Sequence, residues 1–456
     1  MNVEQANKLF LDGILALSRM EQQGLRIDLD YIRAKNSEIN QQIQSLEREF
    51  TNSKFYKEWE KSRNNKTVNI YSPVQLGEFI YHVKKVKINK ETITGQGSTD
   101  EETLKQLGIP ELEILLQIKK LKKIRDTYLE GFETEQVDGY IHPVYNLHLV
   151  KTFRSSASNP NFQNIPKRDK EAMDICRKAI YPRPRHQLME VDYKQLEVRI
   201  SATYCNDKKL IEDILEGDMH RDMAEKIFMF KYNPNEPSHK VLRSATKNGF
   251  IFPQFYGDFY KNCAVNLTVN WGKLPRFGKW KKGMGIEFEK GNLADHLIKN
   301  GINSLDTFTE HIKEIEQEFW NIRYFRYAKW KEKWYAEYLQ NGYFTSKTGF
   351  TYSGLMRKND VMNYAIQGSA FHCLLWSVIE ITKAQVKEHW DTRLIGQIHD
   401  AIVLDVNPEE LDHVVDVVRC IMCNDIRQTW DWISVPLDVD IEICDVDHSW
   451  AEKHNL

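Results

Sequence analysis

Two runs of β-forming residues in distant parts of the chain each carry an aspartate to a polar end, and whether they meet decides the fold. The first, Leu188 to Tyr193 (LMEVDY), puts Asp192 where a strand would run into the helical pattern KQLEVRI, which holds Glu197 and Arg199. The second, Leu394 to Asp405 (LIGQIHDAIVLD), reads as strand, tight turn, strand, with His399 and Asp400 near the turn. Packed beside the first strand, this hairpin brings Asp400 against Asp192. Carboxylates that close repel unless cations sit between them, and hard oxygen ligands suit Mg²⁺. Two such ions ~3.5–4 Å apart can activate an attacking hydroxyl and stabilise a leaving phosphate oxygen. Taken singly, each aspartate is more often a turn or cap residue.

A third segment adds fixed cations. Arg243 and Lys247 lie four apart in RSATK, hence on one helix face, and such a pair is what a triphosphate needs. Tyr256-Gly257 then ends the helix with a ring and a breaker. A basic pair at this spacing is also ordinary surface decoration. The balance of 63 Lys and Arg against 65 Asp and Glu gives a net charge of −2, so any polyanion site must come from local clustering. One cluster is Lys119, Lys120, Lys122, Lys123 and Arg125 on a helix from about Glu111 to Phe132, where a solvated face is the plainer reading. Another is Lys261 to Lys282, where Lys261, Lys273, Arg276, Lys279, Lys281 and Lys282 alternate with Trp271, Phe277 and Trp280 and no acid intervenes. Basic residues neutralise phosphates and rings stack on bases. An exposed loop with tryptophans tucked into a local core fits the pattern equally.

The chain has 456 residues, enough for roughly two to four domains at ~100–200 residues each. Hydrophobic residues at 41% and charged residues at 28%, with no apolar run near the ~18 residues of a membrane helix, exclude spanning and disordered classes. Seven cysteines, an odd number, without a signal-type N-terminus, read as reduced thiols in the cytoplasm. Helical spacing over Val3 to Met20, a Gly24 break, a short extended LRID stretch and a polar helix over Tyr31 to Phe50 open the chain. A lysine- and asparagine-rich stretch from Asn52 to Gly97 precedes a helix start at Ser98 to Glu102. IHPVYNLHLV reads as strand, and Glu314 to Leu339 as one helix with aromatics almost all round, buried between neighbours. Cys420-Ile-Met-Cys423 is a lone CxxC with no second pair, and His372 beside Cys373 reads as packing.

Taken in order, VDYKQLEVRI, R(x)3K with a downstream FYG, and QIHD resemble the A, B and C motifs of family A DNA polymerases, the DNA polymerase I group. FRSSASNPNFQNIP, GDMHRDMAEKIF and NYAIQGSA are similar to further segments of that family, as are SRMEQQGLRID near the start and VPLDVDIEICDVDHSW near the end. The resemblance covers nearly the whole chain. It implies an α+β right-hand fold with an antiparallel palm sheet, helical fingers and a helical thumb. The thumb would span 1–135, the palm 136–203 and 346–456, and the fingers 204–345.

The same resemblance implies a template-directed DNA polymerase using two Mg²⁺ ions, with Mn²⁺ as a substitute, and taking primer-template DNA and deoxynucleotides. Asp192, Asp400 and the carbonyl of Tyr193 would hold the metals. Gln195, Glu197, His220, Arg243, Lys247, Phe252 and Tyr256 would contact the nucleotide, with Lys247 protonating pyrophosphate and Glu197 with Tyr256 excluding a ribose 2′-hydroxyl. Arg154, Asn363, Gln367 and His399 would touch DNA. A monomer without its own 3′-to-5′ proofreading, served by a separate exonuclease or processivity protein and acting in bacteriophage replication in the host cytoplasm, completes the expectation. A catalytically silent, polymerase-shaped DNA-binding protein is the alternative, and a single-subunit RNA polymerase is disfavoured by Glu197.

The chain departs from the family pattern at four places. Ala401 stands where an acid usually follows the motif C aspartate, Lys194 where a small residue is usual, and Phe153 where glycine is usual. The Lys247 to Tyr256 spacing is one residue longer than the family's, with Pro253 inside the helix, so a bulge or kink is predicted near Asn248 to Pro253, with Phe252 under the sugar.

Overall fold

The computed structural model describes residues 1–456 apart from 65, 89, 90, 93, 94 and 168; all but the last of these belong to the lysine- and asparagine-rich stretch, whose reading at those positions lies outside the described residues. Its principal helices are α1 (Val3–Gln23), α2 (Leu29–Asn52), α3 (Pro110–Lys122), α4 (Leu196–Cys205), α5 (Pro237–Thr246), α6 (Leu305–Glu318), α7 (Phe325–Asn341) and α8 (Lys358–Glu388). A five-stranded antiparallel sheet is built from β1 (Gln187–Tyr193), β2 (Arg393–Ile398), β3 (Ala401–Val406), β4 (Val439–Ile443) and β5 (His454–Asn455), in the spatial order β2-β3-β1-β4-β5. Among the described residues no helix is long and apolar enough to cross a membrane.

The period of two along a strand sorts the sheet's side chains. Met189, Val191 and Tyr193 join Ile402, Leu404, Val439 and Ile441 in one core with α8, whereas Leu188, Ala401 and Val403 join a second core. Glu190 and Asp192 alternate with the first set and so lie on the second face. There Glu190, 3% exposed, is held by Lys453 (2.6 Å), Trp450 Nε1 (2.9 Å) and Arg177 (3.3 Å). Burial opposes its charge, but those two cations keep its carboxyl below the usual range.

Each helical body closes its own apolar stripe. In α2, Ile32, Ile39, Ile43 and Phe50 bury one face against Leu112, Leu115, Ile118 and Leu121 of α3, with Trp59 and Phe79 stacked beside them. Burying each such side chain stabilises by ~1.5–3 kcal/mol. A third core gathers Phe228, Leu242, Phe250, Phe308 and Ile312 around α5 and α6. Helix α1 packs with α8, not α2, and the approach is so close that a Cβ on Gly13 would lie 2.9 Å from Leu375.

Two sequence expectations are corrected. The single helix over Glu314 to Leu339 is two, because a π-turn at Phe319–Arg323 is followed by non-helical Tyr324 (φ −121°), and Asp207 Oδ2 then accepts from the backbone N–H groups of Arg326 and Tyr327 to start α7. Its aromatics are only partly buried: Tyr327 and Tyr338 are covered, Phe325 is 42% exposed. IHPVYNLHLV forms two short strands, Tyr140–Ile141 and Val144–Asn146, either side of Pro143, which has no N–H to donate. On the 261–282 segment, where a basic and aromatic contact surface and an exposed loop with tucked tryptophans fit the sequence equally, Trp280 is buried, its Nε1 donating to the Pro275 carbonyl, Trp271 is half-buried and Phe277 is exposed.

Candidate active site

Antiparallel pairing sets Ala401 opposite Asp192, which places Asp400, the residue before it, at the open end of the same strand pair. The turn from β2 to β3 is His399-Asp400, with His399 at φ +53°. A buried polar network holds this turn: Gln397 donates from Nε2 to the His399 carbonyl (2.6 Å) and accepts from Ser155 Oγ (2.9 Å) and Gln163 Nε2 (2.5 Å), while its backbone N–H donates to Tyr145 Oη (3.0 Å). Beside it the Tyr193 N–H donates to the Asp400 carbonyl (3.2 Å), and the buried Tyr193 hydroxyl is anchored between Ser377 Oγ and the Met422 carbonyl, both at 2.9 Å.

These residues open onto a cleft of about 390 Å³ lined by Asp192, Tyr193, Gln195, Glu197, Lys247, Phe252, Tyr256, Arg154, Asn363, Gln367, His399 and Asp400, and also by Lys167, Ser201, Phe255, Tyr327 and Ile366. Burial, then Glu197, then Asp192 push the Asp400 carboxyl up to about 6. Burial also raises Asp192, and the Lys167 ammonium 3.2 Å away opposes the rise. Two carboxylates both raised by burial, Asp400 further by Glu197 and Asp192, with carboxylate and carbonyl oxygens as donors and a lysine already drawn to one of them, form a set that fits a hard divalent cation. Among the described residues no group of three or more His, Cys, Asp and Glu is gathered as a metal cluster, at Cys420 and Cys423 or elsewhere.

Glu197 is gripped from two sides, by Arg154 Nη1 at 3.4 Å and by the Tyr256 hydroxyl, which donates to its other oxygen. Burial and that carboxylate push the Tyr256 phenol far above its ordinary range. Helix α8 clips the end of the segment carrying Tyr256: Asn363 Nδ2 donates to the Tyr256 carbonyl (3.2 Å) and Asn359 Nδ2 to that of Gly257 (3.1 Å). Gly257 is required there, at φ +86° with the Asn359 side chain 2.5 Å from where a Cβ would be.

The predicted irregularity after α5 is a π-turn over Lys247–Ile251, followed by a short helix Phe252–Phe255 that carries Pro253 near its start. Five residues of α-helix would leave Phe252 about 140° around from Lys247. The i→i+5 turn brings them to one side, the Lys247 ammonium 5.4 Å from the Phe252 ring centroid, and both line the cleft. Lys247 is lowered by burial, then by Arg243 and Lys167. Phe250, by contrast, is fully buried against Phe319.

Two expected nucleotide contacts do not line the cleft. Arg243 makes a bidentate pair with Asp218 (2.9 and 3.0 Å), the residue that caps the Met219–Phe228 helix. His220 is buried behind Phe252, ring centroids 6.2 Å apart, and neither of its nitrogens has a partner. Burial, then Lys247 and Arg243, lower it to about 4. The departures are absorbed locally. Lys194 turns to Asp438 (2.9 Å) and Asp440 (3.1 Å) at the start of β4. Phe153 takes the positive φ (+55°) that glycine would take freely, within an aromatic box of Phe10, Phe350 and Tyr352. His372 donates or accepts only structurally, between Thr348 Oγ1 (2.7 Å) and the Phe153 carbonyl (3.2 Å). Lys167 was missed in the sequence; it directly follows FRSSASNPNFQNIP, which is the signal that points to it.

The model of DNA polymerase family A matches residues 30–452. The chain belongs to that family. DNA polymerase I of Geobacillus stearothermophilus is 26% identical over 442 residues, covering 94% of this chain and 44% of the relative. DNA polymerase I of Lactococcus lactis subsp. lactis (strain IL1403) is 28% identical over 432 residues, covering 93% and 43%. The family A chain thus spans less than half the length of these curated relatives. Among solved structures, the POL domain of Pol1 from M. smegmatis, in complex with DNA primer-template and dNTP, matches with a TM-score of 0.74 at 24% identity, covering 97% of this chain and 70% of that one. The fold is therefore the α+β right-hand polymerase fold.

Proposed function

We propose that the chain is a template-directed DNA polymerase that adds deoxynucleotides to a primer 3′ end. The observation that carries this is the register of β1 against β3, which joins Asp192 and Asp400 at one cleft that Lys247, Glu197 and Tyr256 also line. In this reading the thumb is 1–135, the palm 136–203 and 346–456, and the fingers 204–345. Two divalent cations, Mg²⁺ or Mn²⁺, held by Asp192, Asp400 and the Tyr193 carbonyl, would supply an activated primer hydroxyl and charge stabilisation for the leaving pyrophosphate. Lys247, its proton loosened by burial, is suited to give that proton to the pyrophosphate as the bond breaks. Arg243 would exchange Asp218 for a triphosphate oxygen, with His220 behind it. Glu197, locked by Tyr256 and Arg154, fills the space a 2′-hydroxyl would need, and Phe252 packs under the sugar. Gln195, Asn363, Gln367 and His399 complete the contacts to nucleotide and DNA. In the same reading the chain acts as a monomer in phage replication, extends without excising, and leaves proofreading and processivity to partners. The test is Mg²⁺-dependent extension of a primed template by the purified chain: templated, deoxynucleotide-selective addition supports the reading, and primer-template binding without any addition overturns it.

A further inference from the structure

Two side-chain contacts cross between the helical lobe and the finger segment without involving the sheet that joins them. Asn270, in the π-turn Asn266–Trp271, donates from Nδ2 to Glu102 Oε1 at 2.8 Å, and the Lys87 ammonium stands 5.0 Å from the ring centroid of Phe277. Glu102 and Lys87 belong to the body whose core holds α2 and α3, while Asn270 and Phe277 belong to the body around α5 and α6. At the other end both bodies root in the palm: the first core takes in Leu188, Ala401 and Val403, and the second takes in Val198, Ala202 and Val435. Lobe, sheet and finger segment therefore form a closed circuit.

Charge singles out what such a circuit would hold. Lys261, Lys273, Arg276, Lys279, Lys281 and Lys282 are exposed or half-exposed, and among the described residues none forms an ion pair with a carboxylate. Part of the helical lobe's own basic run is spent within the protein: Lys120 pairs with Asp169 and Glu171, Arg125 with Asp126 and Glu130, and Lys122 stacks on Tyr71, while among the described residues Lys119 and Lys123 form no ion pair. Positive charge without an ion-pair partner is thus dense in the segment that reaches across, six such groups between 261 and 282 with no acid among them, where a polyanion would relieve it. One hydrogen bond and one cation–π contact, both near solvent, are weak enough to open and re-form.

Resting on the polymerase reading, we propose that segment 266–283 is a clasp that closes on the helical lobe to make a ring around the primer-template, holding the enzyme on DNA between additions. The test replaces Asn270 and Glu102 by cysteine (N270C/E102C) in a Cys420→Ser background and joins them with a short bismaleimide once the protein is bound to a primed circular single-stranded DNA. Cross-linked protein should then stay on the circle through a high-salt wash and leave when the circle is cut. Protein cross-linked before DNA is added should load on the circle roughly tenfold less or worse, while still extending a short linear primer-template whose end can thread. Separately, Glu102→Lys should shorten products made in one binding event without slowing single-nucleotide addition. Failure to cross-link, salt release from the uncut circle, or undiminished loading of pre-closed protein would overturn the clasp. Extension by the unlinked protein is read in parallel: trapping without extension counts against the polymerase reading alone, and extension without trapping counts against the clasp alone.

Discussion

At the scale of single residues, the site works through groups held in place by neighbours that are themselves fixed. Arg154 and Tyr256 grip both oxygens of Glu197, and in the proposed polymerase reading its fixed bulk is a wall against a 2′-hydroxyl. Glu197→Ala is expected to raise ribonucleotide use relative to deoxynucleotide by roughly one to two orders of magnitude in single-nucleotide kinetics, because the excluded hydroxyl then has room; an unchanged ratio would place the wall elsewhere. His372 makes a stability prediction. Burial lowers it to about 3, so between that value and the ~6.5 of an unfolded chain the unfolded state binds the extra proton. Its contribution is complete above pH ~6.5 and drains as pH falls towards 3, to a total on the order of 4 kcal/mol. Urea midpoints of His372→Gln should fall less steeply than those of the parent between pH 6.5 and 4; parallel curves would show that another group controls acid stability.

At the scale of elements, the π-turn after α5 is the feature that, in the proposed polymerase reading, bears on substrate choice. It absorbs one residue and turns Phe252 to the cleft while Phe250 is sealed against Phe319. Phe252→Tyr should therefore ease incorporation of dideoxynucleotides, several-fold or more in competition with deoxynucleotides, since a phenol under the sugar can replace the missing 3′-hydroxyl. Phe250→Tyr should instead lower the unfolding midpoint by burying an unpartnered hydroxyl, a cost of about 1–3 kcal/mol. An effect on dideoxynucleotide use at Phe250 and none at Phe252 would reverse the assignment. The irregularity was legible because residue spacing and Pro253 conflict with a regular helix. The break at Tyr324 was not, since the aromatic pattern runs on across it and the cause is Asp207, more than a hundred positions earlier. The pairing of Arg243 with Asp218 was hidden for the same reason: a motif shows which cation is needed, not which carboxylate holds it meanwhile.

At the scale of the whole molecule, one antiparallel sheet gathers chemistry from segments far apart in sequence, and three separate cores keep the helical bodies around it. The two aspartate-bearing strands were readable because period-two burial and a turn have local signatures. Lys167 lay outside any such pattern, because its contact with Asp192 spans 25 positions of sequence with no local signature. That α1 packs on α8 was equally unreadable, because an amphipathic helix shows that it has a buried face and not which body covers it. The central claim is that Asp192 and Asp400 act as one acidic pair across β1 and β3. It is tested most directly by measuring Mg²⁺-dependent primer extension and primer-template binding together for Asp400→Asn. The substitution keeps the size and removes the charge, so extension is expected to fall by roughly three orders of magnitude or more while DNA affinity stays within a few-fold of the parent; near-normal extension by Asp400→Asn would contradict the account.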